Sequence, residues 1–189
     1  MNEEQLLKEI EDNPQKFGEI YEAFHKKIYG YVYRRTTDYE AAKDITAEIF
    51  IKAYVNIDKF KWRGVSIQYW LYKIATNELN KYFNKHKYVP QSLNRIQEEY
   101  GIDITDHSNA ETENIRIQED LDNHKDFVKL NECLKRIDVK YQDVIALRFF
   151  EQKSIKEIAL ILNKKEGTIK SLLSRGIEKL KNKYNKISI

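Results

Sequence analysis

The segment from Ser154 to Lys181 contains the pattern that most restricts how this chain can fold. Ser154 and Glu157 have the spacing of a capping box, in which each side chain bonds to the other residue's backbone N–H at the start of a helix. A short polar turn at 163–166 leads into a second predicted helix from about Gly167. Two helices joined by so short a turn are typical of a helix-turn-helix, which we therefore predict here.

The second helix of this pair separates an apolar side from a polar side. Its predicted core stripe is Ile169, Leu172, Leu173, Ile177 and Leu180. Lys170, Ser171, Ser174 and Arg175 lie on or near the other faces. Small hydroxyls and cations in this arrangement can enter the major groove of DNA and reach base edges and phosphates. The alternative is a solvated hairpin, but solubility alone does not require the capping box, short turn, apolar stripe and basic face together.

The rest of the chain also favours helices, because it contains only 6 Gly and 2 Pro in 189 residues, too few for the turns of a β fold. Apolar residues recur at helical spacing after the Asn13-Pro14 cap. A second helix is predicted from Thr37, with Glu40 completing a capping box, to about Tyr54. After a loop at 57–66, Ser66 is predicted to cap a third helix that ends near residue 85.

From 88 to 124 the helical periodicity fails, and the segment is polar and acidic. Such a composition buries too little apolar surface to fold by itself, so we predict a flexible acidic linker. Helical spacing then resumes with Phe127, Leu130, Leu134 and Ile137. The fold class is therefore all-α, with two small helical domains at 1–87 and 125–189.

Composition argues against several functional classes. The single Cys133 cannot form an internal disulfide, and the 4 His show no metal-ligand spacing, so neither a metal nor a cofactor is expected. The chain has no Gly-rich phosphate loop and no clear nucleophile-base arrangement, which argues against an enzyme. It lacks both a secretion signal and the roughly 18 apolar residues that span a membrane, which indicates a cytoplasmic protein without membrane insertion. The net charge of +3 is modest, but basic residues concentrate at 52–87 and 135–186.

Three strings in the sequence resemble one known family. SIKEIALILNKKEGTIKSLLSRGIEKLK, from Ser154, resembles the region 4 helix-turn-helix of sigma-70 family factors. AAKDITAEIFIKAY, from Ala41, and WLYKIATN, from Trp70, resemble region 2 of the same family, in the same order. Because no recognisable region 3 separates them and no region 1.1 precedes them, the resemblance is to the small extracytoplasmic-function (ECF) group.

The resemblance implies a sigma factor that directs promoter-specific initiation by core RNA polymerase. The helix at 41–54 would bind the clamp helices of the largest polymerase subunit, and its exposed face would suit a partner helix. The residues assigned to this contact are Asp44, Thr46, Glu48, Ile51 and Lys52. Ala47 stands where the family often has Gln, so one polar contact of the family is absent.

The resemblance further implies two DNA sites. The loop before the third helix, and that helix itself, would recognise and open the −10 element, where aromatic rings and cations can hold an unstacked base. The residues assigned to it are Phe60, Trp62, Arg63, Lys73, Asn77, Asn80 and Lys81. Phe60 is equally consistent with a packing role, and Trp70 fits the core better than a contact. The helix-turn-helix would read the −35 element with Lys165, Thr168, Lys170, Ser171, Ser174 and Arg175, since Leu172 replaces a frequent Arg.

The two promoter elements are about two helical turns apart, or roughly 70 Å. A coil of about 38 residues spans only roughly 35 Å on average but can stretch to about 120 Å. Polymerase would therefore have to hold the two domains apart, and the isolated protein should bind promoter DNA poorly. The linker is equally consistent with a path through the RNA channel and with a simple tether, and the family also implies an anti-sigma partner. The main alternative function is an ordinary helix-turn-helix regulator, which would bind DNA without polymerase and has no use for the region 2 strings.

Overall fold

A computed structural model describes residues 3–60, 64–85, 129–130 and 132–187. Every regular element in these residues is helical, which confirms the all-α prediction. The segment predicted as a linker, 88–124, lies outside the described residues, as does Phe127. Among the described residues, no helix combines the length and apolar character that crossing a bilayer requires.

The N-terminal unit consists of α1 (Glu3–Asp12), α2 (Phe17–Thr36), α3 (Tyr39–Val55) and α4 (Ile67–Lys85), with short 3₁₀ turns at Pro14–Lys16 and Ile57–Lys59. Its core is formed by apolar side chains that recur at helical spacing on the inner face of each helix. The most deeply buried of these are Ile20, Ile28, Tyr31, Ile49, Ile67, Leu71, Tyr72 and Leu79. The helices thus pack around one shared core, as their amphipathic patterns require.

Local signals fix the ends of these helices. Asn13 accepts a hydrogen bond from the Gln15 N–H at 3.1 Å, which confirms the predicted cap before α2. The predicted start of α3 at Thr37 is one residue early. Thr37 instead closes α2 in the left-handed conformation, with φ 51°. Asp38 caps α3 by accepting from the Ala41 N–H at 3.0 Å, because a short carboxylate satisfies a free N–H of the first turn.

The start of α4 is held by α1. Ser66 accepts from the Gln68 N–H at 3.2 Å, which confirms the predicted cap. Glu3 adds a second tie, because its carboxylate accepts from the Ser66 hydroxyl and from the Ile67 N–H, both at 2.8 Å. Gly64 precedes this junction with φ +71°, a conformation that a side chain would strain.

The C-terminal unit contains helical residues at 129–130 and 132–135, then α5 (Val139–Ile145), a π-helical turn (Ala146–Phe150), α6 (Ile155–Leu162) and α7 (Glu166–Ile187). Ile158, Ile161 and Ile169 are almost fully buried and join α6 to α7. Helix α5 packs against α7 and supports the pair. The unit also contacts the N-terminal helices, chiefly where α6 meets α4.

Candidate nucleic-acid interface

The helix-turn-helix has the local geometry that its sequence predicts. Ser154 and Glu157 form both hydrogen bonds of the capping box, which confirms that prediction. At the end of α6, Asn163 adopts the left-handed conformation with φ 51°, and the Lys164 N–H donates to the Ala159 carbonyl at 2.9 Å. Asn tolerates this conformation better than most residues, so the turn fixes the direction in which α7 leaves.

The outer face of α7 is free for a ligand across its first turns. All six residues predicted to contact DNA are exposed: Lys165, Thr168, Lys170, Ser171, Ser174 and Arg175. Ile169 and Leu173 are buried on the opposite side and anchor the helix. A helix held in this way presents hydroxyls and cations outward, which is the arrangement that groove reading requires.

One predicted core residue of α7 is placed wrongly by the sequence pattern. Ile177 is 45% exposed, although its spacing predicted an inward position. Gly176 of α7 is buried against α5, and a Cβ added there would lie 3.1 Å from Ile145 Cδ1 and 3.2 Å from Tyr141 Cβ. Since one residue turns a helix by about 100°, a glycine that faces inward directs the next residue outward.

The exposed face of α4 carries most of the residues assigned to the −10 element. Lys73, Asn77 and Lys81 are exposed and recur at every fourth position, so they lie along one side of the helix. Asn80 is half-buried, and its side-chain oxygen has no hydrogen-bond partner among the described residues. Trp62 and Arg63, which were assigned to the same element, lie outside the described residues.

Phe60 has a packing partner. It is half-buried, and its ring centroid lies 5.1 Å from that of Trp70 with the planes tilted by 37°. Trp70 is itself half-buried, at the start of α4. The pair thus holds the chain just after the second 3₁₀ turn against α4, which supports the packing role that the sequence left open for Phe60.

Helix α3 presents a stripe of exposed side chains away from the core. Asp44, Glu48 and Ile51 are exposed, and Ile51 is 57% accessible. The prediction that Thr46 contacts polymerase is wrong, because this residue is only 1% exposed and a partner cannot reach it. Its hydroxyl has no hydrogen-bond partner among the described residues. Position 46 belongs to the inner face of the helix, together with Ala42 and Ile49, at spacings of three and four.

Glu78 connects the α3 stripe to the exposed face of α4. Its carboxylate accepts from Lys52 Nζ at 2.7 Å and from Lys81 Nζ at 3.0 Å. Burial opposes ionisation of Glu78, but hydrogen bonds from the two lysines outweigh it and lower its pKa. Hydrogen bonds to Glu48 and Glu78 raise the pKa of Lys52 to about 12. The Glu78 carboxylate thus holds both Lys52, which was assigned to the polymerase contact, and Lys81, which was assigned to the −10 element.

We expect Glu78→Gln to lower the free energy of unfolding by about 1–2 kcal/mol at pH 7, because it removes a charged acceptor from two hydrogen bonds. A carboxyl whose pKa is lowered by folding stabilises the protein above the ordinary carboxyl pKa, and this contribution is lost as the pH falls through the lowered value. The difference between variant and parent should therefore shrink as the pH falls below 4.5, the ordinary pKa of such a carboxyl. Urea unfolding followed by circular dichroism at each pH measures the free energy of unfolding of the variant and of the parent.

Glu48→Gln is the matched control for Glu78→Gln. The Glu48 side chain is 49% exposed and also pairs with Lys52, at 2.7 Å. Solvent screens such a surface pair, so the control should change the stability by less than about 0.5 kcal/mol. An effect of Glu78→Gln that stays constant with pH would contradict the expected titration.

Two regions of this chain match the models of one known family. The family model of sigma-70 region 2 matches residues 20–88, and that of sigma-70 region 4 matches residues 127–180. The ECF RNA polymerase sigma factor SigW of Bacillus subtilis (strain 168) is 30% identical over 176 residues, which cover 93% of this chain and 92% of SigW.

More distant relatives extend the comparison. The ECF sigma factor BldN of Streptomyces coelicolor is 27% identical over 164 residues, which cover 87% of this chain but only 58% of BldN. The solved structure of CnrH in complex with the cytosolic domain of CnrY matches the fold with a TM-score of 0.63 and 15% identity, over 94% of each chain. The two family regions occur in order, and the likeness to SigW extends along nearly its whole length. The chain therefore belongs to the ECF group of the sigma-70 family, whose members are transcription initiation factors rather than enzymes.

Proposed function

We propose that this sigma factor binds bacterial core RNA polymerase through α3 and directs it to promoters with both DNA-reading surfaces. The N-terminal domain, 1–87, would bind polymerase and the melted −10 strand, and the C-terminal domain, 125–189, would read the −35 duplex. The observation that carries the proposal is that all six predicted contact residues, at and just before the start of α7, are exposed on a helix-turn-helix whose opposite side is buried.

The face of α3 supports the polymerase contact. Asp44, Glu48, Ile51 and Val55 follow one another at spacings of four, three and four, which places them on one stripe. Ile51 and Val55 are 57% and 65% exposed, so the stripe offers apolar area next to carboxylates. Such a mixture suits the groove or face of a partner helix, and the clamp helices of the polymerase are the partner that the family implies.

The α4 face supports contact with the −10 element. Lys73 and Lys81 can neutralise phosphates, and Asn77 between them can bond to a base edge. Lys81 already pairs with Glu78, so phosphate binding would have to compete with this carboxylate. We therefore assign the larger phosphate contribution to Lys73.

A protein inhibitor is also part of the proposal. CnrH, whose fold this chain shares, is bound to the cytosolic domain of CnrY in the solved structure. We propose that this chain likewise binds a protein partner, and the family implies that this partner is an anti-sigma factor. Since core polymerase acts in the cytoplasm, the chain would act there.

Run-off transcription with core polymerase on a library of genomic fragments tests the proposed function and identifies the promoter. On that promoter, Lys170→Ala combined with Arg175→Ala should reduce transcription about 10-fold or more, because contacts to base edges or phosphates contribute about 1–3 kcal/mol each. The control is Lys8→Ala combined with Lys26→Ala, which removes the same charge from exposed positions on α1 and α2 and should leave transcription unchanged. Equal transcription by both double variants would exclude this face of α7 from the −35 contact.

A further inference from the structure

The second half of α7 and the turn before α5 form a cleft of about 340 Å³. Ile137 is the buried apolar residue of its lining. The other residues that line it are polar or charged: Arg136, Asp138, Lys179, Asn182 and Lys183. None of these residues was assigned to polymerase or to DNA, so the cleft has no role in the proposed function as stated so far.

The cleft carries an excess of positive charge. Its three cations face one carboxylate, that of Asp138, which leaves a net charge of +2. Lys135, just outside the cleft, pairs with Glu132 at 3.1 Å. By contrast, the cations Arg136, Lys179 and Lys183 form no ion pair with a carboxylate in the part of the chain that the structure describes. Like charges that lie together without counter-charges attract an anion from solution.

The cations of the cleft converge from two elements. Lys179 Nζ lies 5.7 Å from the centroid of the Tyr141 ring, a cation–π contact with a side chain of α5 that is only 6% exposed. Burial raises the pKa of the Cys133 thiol, and the charges of Arg136 and Lys183 oppose this rise. Because both cations act on the same buried group, they lie close together although one precedes α5 and the other belongs to α7.

The cleft continues the side of α7 that is proposed to read DNA. Thr168, Ser171, Arg175, Lys179 and Asn182 follow one another at spacings of three, four, four and three, which places them on one side of the helix. The first three were assigned to the −35 element, and the last two line the cleft. This stripe therefore leads from the proposed reading surface directly into the cleft.

The dimensions of DNA indicate what the cleft would meet. The major groove of B-DNA is about 12 Å wide. The residues from Glu166 to Arg175 extend about 15 Å at 1.5 Å per residue, so they take up the width of the groove. Lys179 and Lys183 lie about 6 Å and 12 Å farther along the helix axis, where the sugar–phosphate backbone borders the groove. A backbone phosphate fits both this position and the charge of the cleft.

We propose that the cleft formed by Arg136, Lys179, Asn182 and Lys183 binds a phosphate of the DNA backbone beside the −35 element. The contact carries no sequence information, but it fixes the register in which α7 meets the bases. The inference rests on the proposed −35 contact for the place of this phosphate on the promoter. Phosphate binding by the cleft does not depend on that contact, and it can be measured without polymerase.

Lys179→Ala combined with Lys183→Ala tests the cleft in the full chain. Fluorescence anisotropy measures binding to a short duplex without promoter sequence between about 20 and 200 mM salt. Because one phosphate contact fewer releases fewer counterions, the slope of log affinity against log salt should fall by about 0.9, and the affinity at about 0.1 M salt about 8-fold. The control, Lys26→Ala with Lys181→Ala, removes the same charge from exposed positions on α2 and on the opposite side of α7, and should keep the slope of the parent.

Two results of this measurement would overturn the proposal. The first is an equal slope for the two double variants, since the loss would then reflect net charge alone. The second concerns the source of the phosphate, and it is tested by replacing chloride with inorganic phosphate at constant ionic strength. If the difference between the cleft variant and the parent then disappears, the cleft holds a free ion rather than the DNA backbone.

Neutral methylphosphonate linkages locate the phosphate on the promoter. With the holoenzyme on its cognate promoter, linkages beside the −35 element are replaced one at a time, and at one position the affinity of the parent should fall about 8-fold. The same linkage should cost the cleft variant nothing, because its partner is gone, whereas Lys170→Ala on the reading surface should keep the full loss.

Equal losses for all three proteins at every linkage would exclude the cleft from the promoter contact and overturn the proposal. If the salt slopes differ as expected but the holoenzyme binds no promoter, the phosphate site is upheld and the proposed function fails instead. Circular dichroism confirms that each variant keeps its helix content.

Discussion

Replacing Ile51 by Asp should weaken association with core RNA polymerase by more than about 100-fold and leave the fold intact. Ile51 is 57% exposed at the middle of the α3 stripe, so the substitution changes no core contact, and such surface changes usually alter stability by less than about 0.5 kcal/mol. In the proposed complex the same position is covered by a partner helix. An unpaired carboxylate buried there would cost about 3 kcal/mol or more, which corresponds to the expected loss of affinity.

Phe149→Asp is the matched control for Ile51→Asp. Phe149 is 56% exposed and follows α5 in the C-terminal unit, away from α3. The same change in charge at this similarly exposed apolar position should leave association with polymerase within about 2-fold of the parent, in the range of near-neutral surface positions. Biolayer interferometry on immobilised core polymerase measures the affinity of both variants and of the parent. Equal affinities for both variants would remove α3 from the polymerase contact.

Gly176→Val should destabilise the C-terminal unit by about 1–2 kcal/mol. The first side-chain atom alone would lie 3.1 Å from Ile145 Cδ1 and 3.2 Å from Tyr141 Cβ. Ile145 can turn away, but a Cβ atom is fixed to its backbone, so α5 and α7 would have to separate. Overpacking of this kind typically costs about 1–3 kcal/mol, and it outweighs the gain of up to about 1 kcal/mol from removing a helical glycine.

Gly18→Val separates the packing effect from helix propensity. Gly18 lies in the first turn of α2 and has nothing within 4 Å of an added Cβ, so this variant should be unchanged or slightly more stable. Hydrogen exchange by mass spectrometry resolves the two units and should show faster exchange in α7 for Gly176→Val only. Protection of α7 equal to that of the parent would show that the helices tolerate a side chain at 176.

The sequence predicts those features that depend on neighbouring residues. Ser154 and Glu157 cap α6 as predicted, because a capping box is complete within one turn. The predicted start at Thr37 is wrong by one residue because both Thr37 and Asp38 suit a cap, and only the left-handed turn at Thr37 decides between them. The inward position predicted for Ile177 is wrong because a regular apolar spacing cannot reveal that the neighbouring Gly176 is the residue packed against α5.

Features that depend on distant residues could not be predicted. Thr46 resembles its exposed neighbours in polarity, and only the packing of α3 shows that it is buried. Arg35 and Asp143 are separated by 108 positions, and each occurs in a stretch where a surface charge would be unremarkable. No local pattern links them, so their buried ion pair becomes visible only when the two units are seen together.

The carboxylate of Glu3 has a practical consequence for dissecting this protein. The region 2 match begins at residue 20, yet the first turn of α4 depends on a side chain that lies 17 positions before that boundary. Leu6 and Ile10 of the same helix are buried in the common core. A fragment cut where the homology starts would expose that core and leave the helix assigned to the −10 element frayed at its beginning, so the shortest useful fragment of this unit must include α1.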